Sequence, residues 1–503
     1  MSAADIAYKS KKEALMNKIT KRKYEELEFT CEDEEANEVF RKLIIKEKEG
    51  YPEEFYQIYT LRHKEQIEKS NLWKYFYKMP KGSILHLHFD TCNDIDWFFE
   101  TLAFLDTTFF NPETNTFKYF KSKEAAEKGF ERLSEIRDKQ ENKEEWLKHI
   151  KTRLIVIEDE VTDMTRHTWD IFETKIQAMW QLILHKDYFK QYLYRTFEHF
   201  IKEGIYRIEA RAFLQSLFDD DHKQIPLEEE YAIFQEVINK ARKNLNPNFS
   251  YSIIIQGLKC WDNQQVENYM AQAIKAKKQY PDFYIGFDLV QEEDGYRMMN
   301  SFAPALLKKK EIEKEYGVEL PFLFHGNKIE FYQNIEFQDI QINLKNKGGE
   351  SLNFQENSNL VDLLLLETKR IGHGINLIHH AYLMDYIKND KICIEVNPLS
   401  NQILRYISDL RLHPAKTFLN YGIKICINPD DPGFFGINGI TYDFYTLTLA
   451  QEFDLKDLKL CCFNSIQYSL LEEQQKQKLL QYWNEQWDSF VKQFLVEQAE
   501  QKV

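Results

Sequence analysis

The spacing of apolar and polar positions divides the chain into stretches of different period. Up to about Phe76, apolar residues recur at helical intervals among many charges, which predicts helices. Beyond it, short β-rich runs alternate with longer amphipathic segments. The runs fall at 83–88, 206–213, 251–258, 284–290, 321–325, 370–374, 392–396 and 423–428. Strands separated by helical segments pair in parallel through crossover helices, and eight of them predict an α/β fold, a (β/α)₈ TIM-type barrel. The expected organisation is an N-terminal helical extension over 1–76 followed by a barrel domain over 77–503. Near the end, Leu480, Trp483, Trp487, Phe490 and Phe494 lie three or four apart, the stripe of a helix packing on something apolar. Core packing is the simpler reading of that stripe; a partner's groove is the other.

Two insertions interrupt the alternation. Residues 102–151 are charged and partly helical, and they precede a helix expected to begin near Thr168. Residues 339–359 are polar and punctuated by glycine, which predicts a mobile loop after the fifth strand. Composition narrows the class further. Apolar residues make up 43% of the 503, enough for a sizeable core. A formal net charge of −15 argues against nucleic acid as a partner, because phosphate binding needs a basic face. The seven cysteines are scattered without CxxC spacing, so neither a zinc ribbon nor a redox pair is expected. The first thirty residues are charged throughout with no apolar run of a signal peptide, and no membrane-spanning run of about 18 apolar residues occurs. A cytoplasmic or other intracellular setting is the expectation.

The chemistry sits in a few histidines and acids. His86 and His88 stand two apart on a predicted strand, so their side chains share one face and can converge on one ion. Such a pair alone is equally at home in a core or on a surface. Placement changes the weight, because His325, His373 and Asp430 each fall at the C-terminal end of a predicted strand, where barrel enzymes assemble their sites. Imidazole and carboxylate are zinc ligands, and a catalytic zinc site takes three or four of them plus an open water position.

The segments MPKGSILHLHFD, YRIEARAFL, GFDLV, RIGHG, EVNPLSNQIL, DLRLHP, DDPGFFG and TYDFY follow one another in a familiar order. From about Leu72 onward the chain resembles the adenosine deaminase superfamily, specifically its adenosine deaminase-related growth factor branch. The resemblance implies a barrel of the metal-dependent hydrolase kind that converts adenosine, or a related purine nucleoside, to its 6-oxo product and ammonia. It implies one zinc ion held by His86, His88, His325 and Asp430, with His373 orienting the attacking hydroxide and stabilising charge. It further implies that Asp431 hydrogen-bonds the purine, that Asp90 reaches the ribose and that Trp169 lines the sugar pocket. Read without the resemblance, Asp90 and Asp431 suit turns and Trp169 suits the core. The N-terminal helices resemble the branch's dimerisation region, which implies a homodimer or a place in a larger assembly. The branch is normally secreted, and the absent signal counts against an extracellular growth-factor role.

Two positions depart from the family pattern. Where the family reads His-Ala-Gly-Glu, this chain reads His325-Gly326-Asn327-Lys328. The glutamic acid protonates the ring nitrogen beside the reacting carbon, whereas an ammonium near Zn²⁺ meets like-charge repulsion and cannot donate and then accept in the same way. Glu330, two residues further on, is the candidate replacement acid, and a substrate needing no ring protonation is the other escape. After GFDLV the family has a glycine that lets a backbone N–H approach the purine; here Gln291 stands, crowding or redirecting the pocket or projecting harmlessly outward. The expected function is therefore a zinc-dependent aminohydrolase, with a catalytically inactive scaffold or nucleoside-binding barrel as the alternative.

Overall fold

The computed structural model describes residues 3–92, 94–291, 297–326 and 359–500. Its centre is a parallel barrel of eight strands: β1 (Gly82–Ile84), β2 (Ile205–Ala212), β3 (Ser250–Leu258), β4 (Tyr284–Val290), β5 (His325–Gly326), β6 (Arg370–His373), β7 (Cys393–Val396) and β8 (Ile425–Ile427). The strands form two four-stranded sheets, ordered β1-β2-β3-β4 and β8-β7-β6-β5. Two parallel bridges close the seams, Phe287 with Phe322 between β4 and the approach to β5, and Leu87 with Asp430 beyond the ends of β1 and β8. All eight predicted runs supply a barrel strand. The strand predicted at 321–325 is the most altered, because its regular pairing is confined to His325–Gly326 and only the bridge at Phe322 marks the rest.

The N-terminal extension is built into the same core. Thr30 and Asp33 form a capping box at the start of the helix Cys31–Lys48. The Asp33 carboxylate also receives Lys459 Nζ at 2.6 Å and Trp487 Nε1 at 2.9 Å, tying the cap to two C-terminal helices. The apolar stripe of the last helix, Glu473–Glu500, is buried in this seam. Phe494 meets Phe40 and Tyr75, and Trp483 Nε1 donates to Pro80 O at 2.8 Å. Core packing is thus what the stripe does. Further along the extension, Thr60 N–H donates to Gln402 Oε1 and Gln402 Nε2 donates to Tyr56 O, both at 2.9 Å, so it buttresses a short helix, Pro398–Ile403, at the barrel mouth.

The insertion at 102–151 carries helices, as expected, but also a three-stranded antiparallel sheet of Thr108–Asn111, Thr116–Tyr119 and Glu131–Arg132, which was not expected. Its strands are two to four residues long, so the charges around them swamp their alternation. The predicted loop at 339–359 lies outside the described residues, except that Asn359 opens the helix Asn359–Leu365. No described helix is long and apolar enough to cross a membrane.

Asp94 clamps the helix that leads into this insertion, Ile95–Thr101, to the barrel's outer layer. Its Oδ1 accepts from Trp97 N–H at 3.0 Å, and its Oδ2 accepts from Arg195 Nη2 and His199, each at 2.8 Å. Burial alone would raise its pKa, but the bonds from His199, Trp97 and Arg195 outweigh that and hold the carboxyl below the usual range. A depressed folded-state pKa means the clamp contributes fully above the unfolded value of about 3.9 and is lost as pH falls through the folded value. Asp94→Asn is therefore expected to lower the urea midpoint at pH 7 and to flatten its fall below about pH 4. A variant with an unchanged acid limb would show that Asp94 is not a source of the acid sensitivity.

Candidate active site

The strand ends place three imidazoles around one point, and each ring is oriented by its outer nitrogen. His86 Nδ1 lies 2.7 Å from Glu395 Oε2 on β7, and His325 Nδ1 lies 2.7 Å from Asp288 Oδ2 on β4. His88 Nδ1 lies 3.1 Å from Gln256 Oε1 on β3. Beside an oxygen acceptor Nδ1 carries the proton, which leaves the three Nε2 atoms as lone-pair donors turned inward. His86 Nε2 is buried without a hydrogen-bond partner among the described residues, 3.2 Å from Asp430 Oδ1. His88 Nε2 sits 3.2 Å from His325 Nε2 and 3.4 Å from the same carboxylate oxygen. Two imidazole lone pairs that close repel unless a cation lies between them. Ligands bonded to one tetrahedral ion at about 2.0–2.1 Å stand roughly 3.3 Å apart. One atom from each of His86, His88, His325 and Asp430 falls within 4.8 Å of all the others. The donor set fits a divalent metal ion.

Beneath this cluster the barrel interior is charged. Arg211 on β2 reaches both carboxylates that orient the imidazoles, Asp288 through Nε at 2.6 Å and Glu395 through Nη2 at 2.9 Å. Its remaining donors take the carbonyls of Leu85 and Leu323. Arg370 on β6 meets the other oxygen of Glu395 at 2.6 Å and Glu209 at 2.8 Å. Burial opposes ionisation of Glu395, but the Arg211 and Arg370 guanidiniums outweigh it and hold the carboxyl far below its ordinary range.

His373 ends β6 beside the cluster, its ring centroid 4.9 Å from that of His86 and 5.5 Å from that of His325. Its Nε2 is 3.5 Å from Asp430 Oδ2. Three residues of the site, His373 (φ 63), Asp430 (φ 59) and Gln291 (φ 106), have the positive φ that favours glycine.

A cavity of about 500 Å³ opens from the cluster, lined by His88 and His325 at one end and by Phe172, Trp180 and Phe213 along its wall. Asp90, Trp169, Gln291 and Asp431, singled out in the sequence, all line it. Asp431 Oδ1 accepts from Thr91 Oγ1 at 2.8 Å, and Trp169 Nε1 donates to Tyr406 at 2.6 Å. Asp90 is enclosed enough that burial pushes its carboxyl up to about 7, and its Oδ1 has no hydrogen-bond partner among the described residues. Gln291 keeps a glycine-like backbone and folds its side chain back, Oε1 accepting from Cys260 N–H at 2.9 Å. Lys328 and Glu330 lie outside the described residues. The supporting Arg211, Asp288 and Gln256 were not singled out from sequence, and Glu395 only as the start of the run EVNPLSNQ, without a role. Their signal was charged and amide side chains inside β-rich runs, which marks an interior position without saying what it touches.

An eight-stranded barrel with a histidine–aspartate donor set at its C-terminal mouth defines a metal-dependent hydrolase architecture. The adenosine deaminase family model matches residues 327–485. The chain is 28% identical over 500 residues to adenosine deaminase 2 of Dictyostelium discoideum, covering 96% of this chain and 87% of that one. It is also 28% identical over 440 residues to adenosine deaminase 2 of Homo sapiens, covering 85% and 81%. Among solved structures it superposes on adenine deaminase from Arthrobacter aurescens with a TM-score of 0.54 and 19% identity, covering 81% of this chain and 98% of that one. An amidohydrolase from Burkhoderia ambifaria with bound Zn gives a TM-score of 0.55 at 14% identity, covering 84% and 94%. The chain is thus similar to adenosine deaminases, through the family model over residues 327–485 and through adenosine deaminase 2 proteins over most of its length.

Proposed function

We propose that the chain is a zinc-dependent aminohydrolase acting on adenosine or a related purine nucleoside. The carrying observation is the convergence of His86, His88, His325 and Asp430 at one end of a cavity that Asp90 and Asp431 also line. When bound there, a zinc ion makes water a competent nucleophile near neutral pH. His373 would orient that water and stabilise the charge that develops in the transition state. Asp431 takes the five-membered ring of the base, Asp90 takes the ribose, and Trp169 walls the sugar. Glu330 is the candidate proton donor to the ring. Lys328 in the place of the family's acid favours a second reading, an inactive barrel that retains its metal and binds nucleoside. Incubating zinc-loaded protein with adenosine and following inosine separates the two. Turnover that disappears with a chelator and returns with zinc supports the enzyme; binding without turnover supports the inactive barrel.

A further inference from the structure

The polarity of His373 can be traced through residues that do not line the cavity. His373 Nδ1 lies 2.9 Å from Asn401 Nδ2 and 3.2 Å from Asn397 Nδ2. Amide oxygen and nitrogen are nearly equivalent in shape, so these two contacts alone fit either polarity. The polarity is set one residue further out. His413 brings its Nδ1 to 3.1 Å from the backbone N–H of Ala415, a group that only donates. Nδ1 of His413 is therefore an acceptor, and its ring proton sits on Nε2, 3.1 Å from Asn401 Oδ1. That N–H demands an oxygen, which turns the Asn401 amide NH₂ toward His373. His373 Nδ1 must then accept, and the neutral ring carries its proton on Nε2, which faces Asp430 Oδ2 at 3.5 Å and has Asn397 Nδ2 at the longer edge of its own contact range, also 3.5 Å.

We propose that Ala415 N–H, His413 and Asn401 form a tautomer lock that keeps His373 a hydrogen-bond donor at Nε2. His413 is wholly buried, and that burial pushes its pKa down to about 3, so it stays neutral and keeps one acceptor nitrogen. Asn401 is held in place by its short helix, whose Leu399 N–H donates to Asp443 Oδ1 at 3.2 Å and whose Gln402 binds the N-terminal extension. Asn401 and His413 are positioning residues. The catalytic consequence, though not the tautomer, rests on the proposed function: a ring protonated at Nε2 gives a hydrogen bond toward developing negative charge and cannot take a proton there.

Nitrogen NMR on protein carrying ¹⁵N-histidine tests the lock without requiring turnover. The resonances of His373 are identified by their loss in His373→Gln. The expected wild-type pattern is a protonated Nε2 and a bare Nδ1. Asn401→Asp keeps the shape but offers only acceptor oxygens, so it is expected to draw a proton onto His373 Nδ1. If the protein turns over adenosine, the same variant is expected to lose on the order of 10²–10⁴-fold in kcat with little change in KM. A wild-type His373 protonated on Nδ1 overturns the lock, as does a folded Asn401→Asp variant with an unchanged pattern. Should that variant not fold, the wild-type pattern decides alone. An inactive wild type with the expected pattern supports the lock while refuting the enzyme reading.

Discussion

Arg211→Met is expected to destabilise the protein by about 3–5 kcal/mol, because it strands two carboxylates in the barrel interior. Asp288 and Glu395 are both fully buried, and Arg211 reaches each of them while also satisfying two backbone carbonyls. Deleting the cation leaves negative charges for which Arg370 and the imidazoles compensate only in part. The same deletion loosens the two carboxylates that orient His86 and His325. Metal affinity is accordingly expected to fall by about 10–100-fold, the usual cost of disturbing groups that hold ligands. Arg211→Lys is not expected to rescue either property, since one ammonium cannot span two carboxylates and two carbonyls. Urea denaturation and competition against a chromophoric chelator read the two effects separately. A Met variant as stable as wild type would mean that the network is held by Arg370 rather than by Arg211.

The barrel was legible because each strand carries a β-rich run bounded by amphipathic helices, a signal that survives errors of a residue or two at the ends. The candidate site was legible for a different reason: His325, His373 and Asp430 cluster at strand termini, and only closure of the barrel brings them to His86 and His88. The inner network was not. On β2 every residue from Ile205 to Ala212 is buried, so burial does not separate inward-facing Arg207, Glu209 and Arg211 from the outward-facing aliphatics between them. The tautomer lock was hidden likewise. Asn401 and His413 lie in loops and short helices whose geometry depends on the N-terminal extension, a contact between residues some 340 apart. The small sheet at 108–132 was lost to averaging, since runs of four residues do not outweigh the charges around them.

Lys328→Glu is expected to raise turnover of adenosine by about 10²–10⁴-fold, the range that a positioned acid contributes. The case rests on an imbalance between two halves of the site. The metal half is complete: three imidazoles oriented through their outer nitrogens, a carboxylate, and His373 beside them. For the proton-delivering half the resemblance points to the position two residues after Gly326, which in this sequence is Lys328 in place of an acid. An ammonium next to a dication is favoured in its neutral form, and a neutral amine has no acidic proton to give to a purine nitrogen. Lys328→Gln removes the like charge without supplying an acid, so it is expected to improve metal affinity but not turnover. Gln291→Gly in the Lys328→Glu background is expected to lower KM further, because the backbone at 291 already has the left-handed conformation that glycine adopts without strain. Glu330→Gln is the counter-test. If wild type is active, loses activity on that change and gains nothing from Lys328→Glu, then Glu330 delivers the proton and Lys328 does not limit the reaction. If wild type is inactive on adenosine and neither change matters, the missing acid is not what limits it, and the inactive-barrel reading is favoured.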